Sequence, residues 1–522
     1  MTRTNHNLWL IAAAAAIAPF MELLDTSIAN VALPYIAGNL SASTDESVWV
    51  LTSYLVANAV VLPLSGWLSE RLGRKRFYLI SVFVFTLSSL LCGVAPNLPL
   101  LILFRVIQGV GGGGLAPATQ AILADIFPKE KIAHAFTIYS FVIVLAPALG
   151  PVLGGWISDN WGWRWIFFLN VPCGIAAYFL NRALQPESHV PPKKSRDIDF
   201  IGLTTVCLGL GSLEYVLDRG ERLDWFSSGT ITFFAVVAVV SLAVMVYYEL
   251  RVAKQPILQL RLFADRNLLM ASVFVFGSFF CRYATTALLP EFTHGMLGYT
   301  ATDSGLVLSP GSACVLFLLP LTAWLMKRVD LRLLIAGGLV VMSTAFYLMS
   351  SLSLAVDYKH IVQLRILESV GFSVFLTPIS VLAFAQLKGG KNDAAASLFG
   401  IFRNLGSAIG ISAVNTVLIR NAQVHRAYLT SNLVSSSSVL QGTVTHLAWR
   451  MHLEGGMSFV DARQMAVAYV NHKLIEQADV LSYMDCFRLL MYVAIALLPM
   501  AFLFVVRKQP ATKTEVADAL LD

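Results

Sequence analysis

Two carboxylates, Glu22 and Asp25, stand inside a long apolar run, in the segment Met21-Glu22-Leu23-Leu24-Asp25-Thr26-Ser27-Ile28-Ala29-Asn30-Val31-Ala32-Leu33-Pro34. Three residues apart, they share one face of any helix the run forms. An ionised side chain at a bilayer-spanning helix centre costs ~2.5–3.5 kcal/mol unless it meets water, protein dipoles or a partner charge, and such groups mark ion and substrate pathways. Asp25 therefore reads as a proton-handling group, with Glu22 beside it in a substrate cavity. The plainer alternative is a buried ion pair that only joins helices. Arg105 is the natural counter-charge, seven residues into the fourth apolar run and at a depth comparable to Asp25. Burial favours a neutral acid and a nearby guanidinium favours the ionised one, which is the balance a proton carrier needs.

Other charges in apolar runs are Glu214, Arg282, Arg365, Glu368 and Arg403. Arg365 and Glu368 share a helix face and read as a structural pair, with a secondary proton or substrate role open for Glu368. Glu214 falls outside the main pathway. Candidate cavity residues are Glu22, Tyr54, Gln108, Phe141, Tyr283 and Glu368; Trp49 and Phe375 are weaker aromatic candidates, since most membrane aromatics pack or form interface belts. No G-x-x-x-x-G-K-[ST] loop is present, so ATP is not expected as direct fuel. The six cysteines have no C-x-x-C spacing, and neither disulfides nor a metal site are expected. No nucleophile or metal cluster suggests a membrane-embedded enzyme. No cofactor is expected beyond the proton as coupling ion.

Helices must hold these groups. Of 522 residues, 57% are hydrophobic and 13% charged, whereas soluble domains are roughly a quarter charged. The fold class is all-α polytopic membrane protein. With about 20 apolar residues per span, fourteen spans are expected, at 10–31, 48–68, 77–94, 98–122, 135–156, 165–184, 200–217, 229–248, 268–289, 305–325, 331–352, 360–382, 394–418 and 486–506. Alternate loops carry the basic residues, among them Arg71, Arg74, Lys75 and Arg76, then Lys129 and Lys131, then Lys327, Arg328 and Arg332, then Lys388 and Lys391. The positive-inside rule then puts both termini in the cytoplasm. Dispersed in short loops, the net charge of +6 does not suggest nucleic acid. Arg3 followed by residues 8–20 also fits a signal peptide, but cleavage there would invert every later loop.

The expected organisation is a six-helix half (1–184), a cytoplasmic linker (185–199), two inserted helices (200–250), a second six-helix half (251–506) and a cytoplasmic tail (507–522). The second half includes one long outer loop, 421–484, with a flexible serine run at 435–438. Its stretch 458–477 has helical spacing of Phe459, Met465, Ala466 and Tyr469 and is expected to lie on the membrane surface, with a partner site as the alternative. An internal repeat supports the two halves. Arg105-Val106-Ile107-Gln108-Gly109-Val110-Gly111 reads against Arg365-Ile366-Leu367-Glu368-Ser369-Val370-Gly371, and Gly150-Pro151-Val152-Leu153-Gly154 against Gly406-Ser407-Ala408-Ile409-Gly410. Duplicated halves with a midplane site between them are the architecture of alternating access.

Between the second and third spans lies Gly66-Trp67-Leu68-Ser69-Glu70-Arg71-Leu72-Gly73-Arg74-Lys75-Arg76. It resembles the G-x-L-a-D-R-x-G-R-K-R loop of the major facilitator superfamily, with Glu70 in place of the usual Asp. Three more motifs resemble the fourteen-helix drug:proton antiporters of that superfamily (EmrB/QacA type): Leu24 to Pro34 in the first span, Arg105-x-x-Gln108-Gly109 in the fourth, and Ala146-Pro147-Ala148-Leu149-Gly150-Pro151-Val152-Leu153-Gly154-Gly155 in the fifth. Trp163-Arg164-Trp165-Ile166-Phe167-Phe168-Leu169-Asn170-Val171-Pro172 looks like this group as well.

The resemblance implies a proton-coupled antiporter that exports amphipathic, often cationic compounds across an inner membrane. It implies proton coupling at Asp25, Arg105 and Glu22, and a conformational latch at Gly66, Glu70, Arg71, Gly73 and Arg74, with Glu70 meeting the start of the thirteenth helix at Asn392-Asp393-Ala394. It implies a bendable packing surface at Gly150, Pro151, Gly154 and Gly155. The expected partners are a small-molecule substrate, the bilayer and a periplasmic adaptor (membrane fusion) protein with an outer-membrane channel. A metabolite or siderophore exporter on the same fold, or a membrane sensor that does not transport, are the competing functions.

Overall fold

The computed structural model describes residues 8–128, 131–186, 199–253, 256–384, 392–432 and 438–505. Most of the expected linker, Lys129, Lys388, Lys391, the serine run at 435–437 and the tail fall outside them. Among the described residues the chain is helical without strands. In order the helices are α1 (Leu8–Asn39), α2 (Thr44–Ser47), α3 (Trp49–Leu72), α4 (Arg74–Gly93), α5 (Leu98–Gly112), α6 (Leu115–Ile126), α7 (Ile132–Asn160), α8 (Arg164–Phe168), α9 (Asn170–Leu184), α10 (Phe200–Arg219) and α11 (Gly229–Arg251). Then come α12 (Arg266–Gly295), α13 (Ala301–Leu306), α14 (Ser309–Leu325), α15 (Leu331–Met349), α16 (Tyr358–Phe384), α17 (Asn392–Asn432), α18 (Ser438–Gly455) and α19 (Phe459–Leu497).

Thirteen of the described stretches are long and apolar enough to cross a bilayer, α5 with α6, α8 with α9 and α13 with α14 each making one span. The fourteenth is α7, 29 residues long, whose stretch 135–156 contains no Asp, Glu, Lys or Arg. Helices are the form this composition must take, because hydrocarbon offers backbone N–H and C=O groups no partner outside the segment. Side chains cap several ends: Asn97 accepts from Leu100 N, Asp265 from Asn267 N and Leu268 N, and Asp330 from Arg332 N. Each such cap stabilises by about 1 kcal/mol.

Small residues let the helices approach, since lipid supplies no hydrophobic drive between them. The two halves repeat one contact. A Cβ on Gly150 or Gly154 of α7 would collide with Ser27 or Ile28 of α1, and a Cβ on Gly406 or Gly410 of α17 would collide with Phe276 or Phe280 of α12. The glycines at 109–113 are packing residues too. A Cβ on Gly109 would stand 2.5 Å from the Tyr54 carbonyl oxygen, and one on Gly111 2.6 Å from Phe85 N. Gly109→Ala should therefore destabilise by ~1–3 kcal/mol, the range for overpacking, seen as a lower unfolding temperature in detergent; an unchanged temperature would refute the close approach of α3 and α5. Gly155, by contrast, has nothing within 4 Å of its Cβ position. α7 runs unbroken through Gly150 and Pro151.

The inserted pair α10–α11 packs on α3, and α10 also touches α17. Gly211 faces Val56 and Val60, and Trp49 stacks on Tyr215. The long loop expected at 421–484 is instead mostly helix, and this corrects its reading. α17 has 41 residues and α19 has 39. At 1.5 Å per residue each is about 60 Å long, roughly twice the hydrocarbon thickness. Both continue out of the membrane-spanning bundle, side by side: Ser482 and Cys486 donate to the Leu418 and Val414 carbonyls, and Asp485 accepts from Asn421. The stretch 458–477 packs on α18, with Ala462 and Ala466 buried against Val444 and Ala448, while Met465 and Tyr469 of the same spacing stay exposed.

Candidate functional site

Asp25 is held by three side chains from two other helices, α5 and α9. Its Oδ2 accepts from Arg105 Nη1 at 2.6 Å, and its Oδ1 accepts from Asn170 Nδ2 at 2.7 Å and Gln108 Nε2 at 3.1 Å. Three N–H donors converge on one carboxylate, so the arrangement is that of the ionised acid. Arg105 is itself fixed on every side. Nη1 also donates to Gln108 Oε1 at 2.8 Å, and Nε donates to the Val50 carbonyl at 2.9 Å. The Tyr54 ring centroid lies 4.3 Å from its guanidinium carbon, and that of Phe167 5.6 Å. Asn170 is braced by Ser89 Oγ at 3.0 Å. Asp25 is 2% exposed and Arg105 and Gln108 0%, yet Arg105 Nη2 has no hydrogen-bond partner. The network is saturated at the acid and has one spare donor at the base.

Glu22, one turn before Asp25, faces the other half. Asn58 Nδ2 donates to its Oε1 at 2.9 Å, while its Oε2 is buried without a partner. Asn58 Oδ1 in turn meets Asn404 Nδ2 of α17 at 3.4 Å. Arg403 of α17 lies within electrostatic reach of Glu22. Arg403 is 5% exposed and donates to the Tyr139 hydroxyl of α7 at 2.5 Å. Tyr283 of α12 shares this electrostatic neighbourhood with Glu22, Arg403 and Tyr139. Glu22, Asn58 and Tyr139 come from the first half, and Tyr283, Arg403 and Asn404 from the second.

The second half carries its own buried cluster. Glu368 Oε2 pairs with Arg282 Nη1 at 3.2 Å and, in a still closer contact, with Arg365 Nη1. Arg282 also donates to Ser369 Oγ at 2.9 Å, and Arg365 Nη2 to Thr286 Oγ1 at 3.1 Å. In each half the first helix thus sends an ionic group to the fourth helix's Arg-x-x-Gln or Arg-x-x-Glu. The signs differ: one base on one acid in the first half, two bases on one acid in the second.

On the side of the basic loops the halves are latched. Asp393, at the start of α17, accepts from Ser69 Oγ and Arg74 Nε, each at 2.8 Å, and a second Arg74 nitrogen meets its other oxygen. Arg74 also pairs with Asp125, which receives Asn392 Nδ2 at 2.5 Å. Ser397 Oγ donates to the Leu62 and Pro63 carbonyls, and a Cβ on Gly66 would stand 3.2 Å from Ala394 Cα. Gly73, at φ +85°, makes the turn that aims Arg74 inward. Residues 394–401 of α17 are buried all round, whereas its next turns are half exposed. This side is closed.

The expected latch is corrected in one respect: Asp393 is reached by Ser69 and Arg74, while Glu70 accepts from Gln259 Nε2 at 3.1 Å. The extra methylene of Glu carries its carboxylate past the turn. Arg71 lies over the Trp67 ring. Of the cavity candidates, Glu22 and Tyr283 lie at the interface of the halves. Tyr54 and Gln108 belong to the Asp25–Arg105 network, Glu368 belongs to the second cluster, and Phe141 packs at the margin of the large apolar core. Sequence reasoning did not single out Asn58, Tyr139 or Asn404, nor the roles of Asn170, Arg282, Asp393 and Arg403. A polar residue in an otherwise apolar run was the available signal for Asn58 and Asn170. Asn39, in the sequon Asn39-Leu40-Ser41, is engaged structurally, accepting from Trp163 Nε1 and Arg164 Nη1. Among the described residues no group of His, Cys, Asp and Glu is placed to hold a metal.

The Major Facilitator Superfamily pattern matches residues 15–411. Fatty acid resistance protein FarB of Neisseria gonorrhoeae is 35% identical over 93% of this chain and 94% of its own. Multidrug export protein EmrB of Escherichia coli (strain K12) is 34% identical over 91% of both, and the probable multidrug resistance protein EmrY of the same strain 36% over 82% and 84%. Among solved structures, the human organic anion transporter MFSD10 (TETRAN) superposes with a TM-score of 0.56 at 12% identity, covering 94% of this chain and 99% of that one, a likeness of fold alone.

Proposed function

Because the chain belongs to the major facilitator superfamily, we propose that it is a proton-coupled exporter of amphipathic drugs, working by alternating access in the cytoplasmic membrane with both ends of the chain in the cytoplasm. The observation that carries this reading is the buried ion pair Asp25–Arg105 with its Gln108 and Asn170 donors. The chain's relatives include proteins named for multidrug export. Protonating Asp25 removes the charge that holds Arg105 Nη1 and forces at least one of its three donors away. The freed guanidinium and the neutral acid are then the signal that the halves read. In the state described, the cytoplasmic side is latched and Asp25 is ionised, which suits release of substrate outward and arrival of a proton from outside. Substrate added to purified protein in proteoliposomes should trigger proton release; silence with every ligand would favour a sensor and end the transport reading.

A second reading of the cargo is an acidic amphipath. It is favoured by the two guanidiniums that face one carboxylate at Glu368, and one relative is named for fatty acid resistance. The helical extension of α17, α18 and α19 is the surface we assign to a periplasmic adaptor and, through it, an outer-membrane channel. Deleting 435–477 should then abolish resistance in cells and spare transport in proteoliposomes. Equal loss in both assays would make the extension a folding element. Orientation has its own check: on a cysteine-free background, an impermeant maleimide added outside should label a cysteine at Leu453, 75% exposed, and miss one at Arg328.

A further inference from the structure

Glu22 and Arg403 come from opposite halves and lie within each other's electrostatic reach. Glu22 Oε2 is buried without a hydrogen-bond partner. Arg403 spends one nitrogen on Tyr139 and lies in the field of Glu22. The two sit on helices that belong to opposite halves, α1 and α17. Asn58 and Asn404 bond each other beside them, and Tyr139 and Tyr283 share their electrostatic neighbourhood. Nearby fixed charges are otherwise occupied: Asp25 is saturated by three donors, and Arg282 and Arg365 share Glu368. Among the described residues, Glu22 and Arg403 combine opposite charge, an unpartnered carboxylate oxygen and origins in opposite halves.

We propose that this pair is the site's charge filter: an amphipathic organic cation binds at the free oxygen of Glu22, and Arg403 is a tethered competitor that occupies the same field when the cation is absent. This inference rests on the export reading above for its cargo, but not on proton coupling. Arg403 behaves as an internal surrogate substrate. Its guanidinium cannot deprotonate, so it keeps Glu22 from standing as an uncompensated buried charge in the empty carrier, a state that would be costly. An incoming ammonium or phosphonium meets the repulsive field of that guanidinium, which the Tyr139 hydroxyl already holds. The aromatic faces of Tyr139 and Tyr283 add cation–π attraction for a desolvated cation. A lipophilic anion meets the mirror situation, with Arg403 as its partner and Glu22 as its competitor.

The test uses two probes of the same shape and opposite charge, tetraphenylphosphonium and tetraphenylborate, bound to the purified full-length protein. Removing one interacting charge at this range changes binding on the order of tenfold. Arg403→Gln should tighten tetraphenylphosphonium and weaken tetraphenylborate by about that factor, and Glu22→Gln should do the reverse. Arg403→Lys should restore the wild-type ratio of the two affinities. In a Glu22→Gln background, Arg403→Gln should tighten tetraphenylphosphonium less than it does in the wild type, as interacting residues do. A general loss of fold weakens both probes together and cannot invert them. The proposal is overturned if Arg403→Gln weakens both alike, leaves the cation unchanged, or if wild-type protein binds neither probe. Proton release by the wild type is scored separately: its absence removes the coupling reading while a charge inversion still supports the filter, and a normal release with no inversion removes the filter alone.

Discussion

Asp25→Asn should abolish uphill export while leaving downhill exchange of substrate in place. An inward proton yields about 2.3 kcal/mol per 100 mV, enough for roughly 40-fold accumulation of a neutral compound at 1.4 kcal/mol per decade. A carrier that cannot take up and release that proton should hold no gradient, so accumulation should fall from tens-fold to about one-fold. The asparagine keeps the shape of the aspartate, and its amide oxygen still accepts from Arg105, Gln108 or Asn170, the donors that converge on Asp25. Removing a buried charge partner outright costs about 3–5 kcal/mol; with an acceptor retained, the stability loss should stay below that. Proteoliposomes supply both readouts, uphill accumulation under an imposed proton gradient and counterflow without one. If the variant still pumps uphill, Asp25 is a structural acid and the proton site must be sought at Glu22 or Glu368. Arg105→Lys should also damage coupling more than expression. An ammonium keeps the charge but cannot reach Asp25, Gln108 and the Val50 carbonyl in one planar fork.

The acid–base partnership of Asp25 and Arg105 was legible because ionisable residues in apolar runs are few and bilayer depth can be counted along the sequence. Span number was legible for the same reason: apolar length and loop charge report independently on it. Contacts that depend on the rotation of one helix against another were not. Nothing in the sequence of α9 says that Asn170, rather than a neighbour, turns toward Asp25. Arg403 was visible as an intramembrane charge, but its pairing with Glu22 depends on how α17 meets α1 across the two halves. The packing of α18 on the helical extension was not legible, because apolar spacing fits lipid and protein equally; α18 takes Ala462 and Ala466 and leaves Met465 and Tyr469 exposed. Glu70 misled for a geometric reason. Motif position places it beside the latch, but one added methylene and the adjoining Gln259 take its carboxylate elsewhere.

Asp393→Ala should open the side of the basic loops. Asp393 receives Ser69 Oγ, Arg74 Nε and a further Arg74 nitrogen, and it is 8% exposed. Losing one partner of a buried pair costs about 3–5 kcal/mol, and here that energy is spent holding one half against the other. The ratio of closed to open states should drop on the order of 10²–10³-fold, enough to move a carrier that rests closed to one that rests open on this side. Ser397 offers the readout, since it is 2% exposed and its hydroxyl sits on the Leu62 and Pro63 carbonyls. On a cysteine-free background, Ser397→Cys should react slowly with a maleimide reaching it from that side, and rapidly once Asp393→Ala is added. Glu70→Gln should leave the labelling rate nearly unchanged, because Glu70 does not contribute to the bonds on Asp393. Arg74→Gln should exceed Asp393→Ala in effect, since Arg74 also holds Asp125 and thereby joins α4, α6 and α17 at one point. Equal labelling of Ser397→Cys with and without Asp393 would mean that the Gly66–Ala394 packing alone holds the halves together, and that the ion pairs around Arg74 merely settle into a closure made by backbone contact.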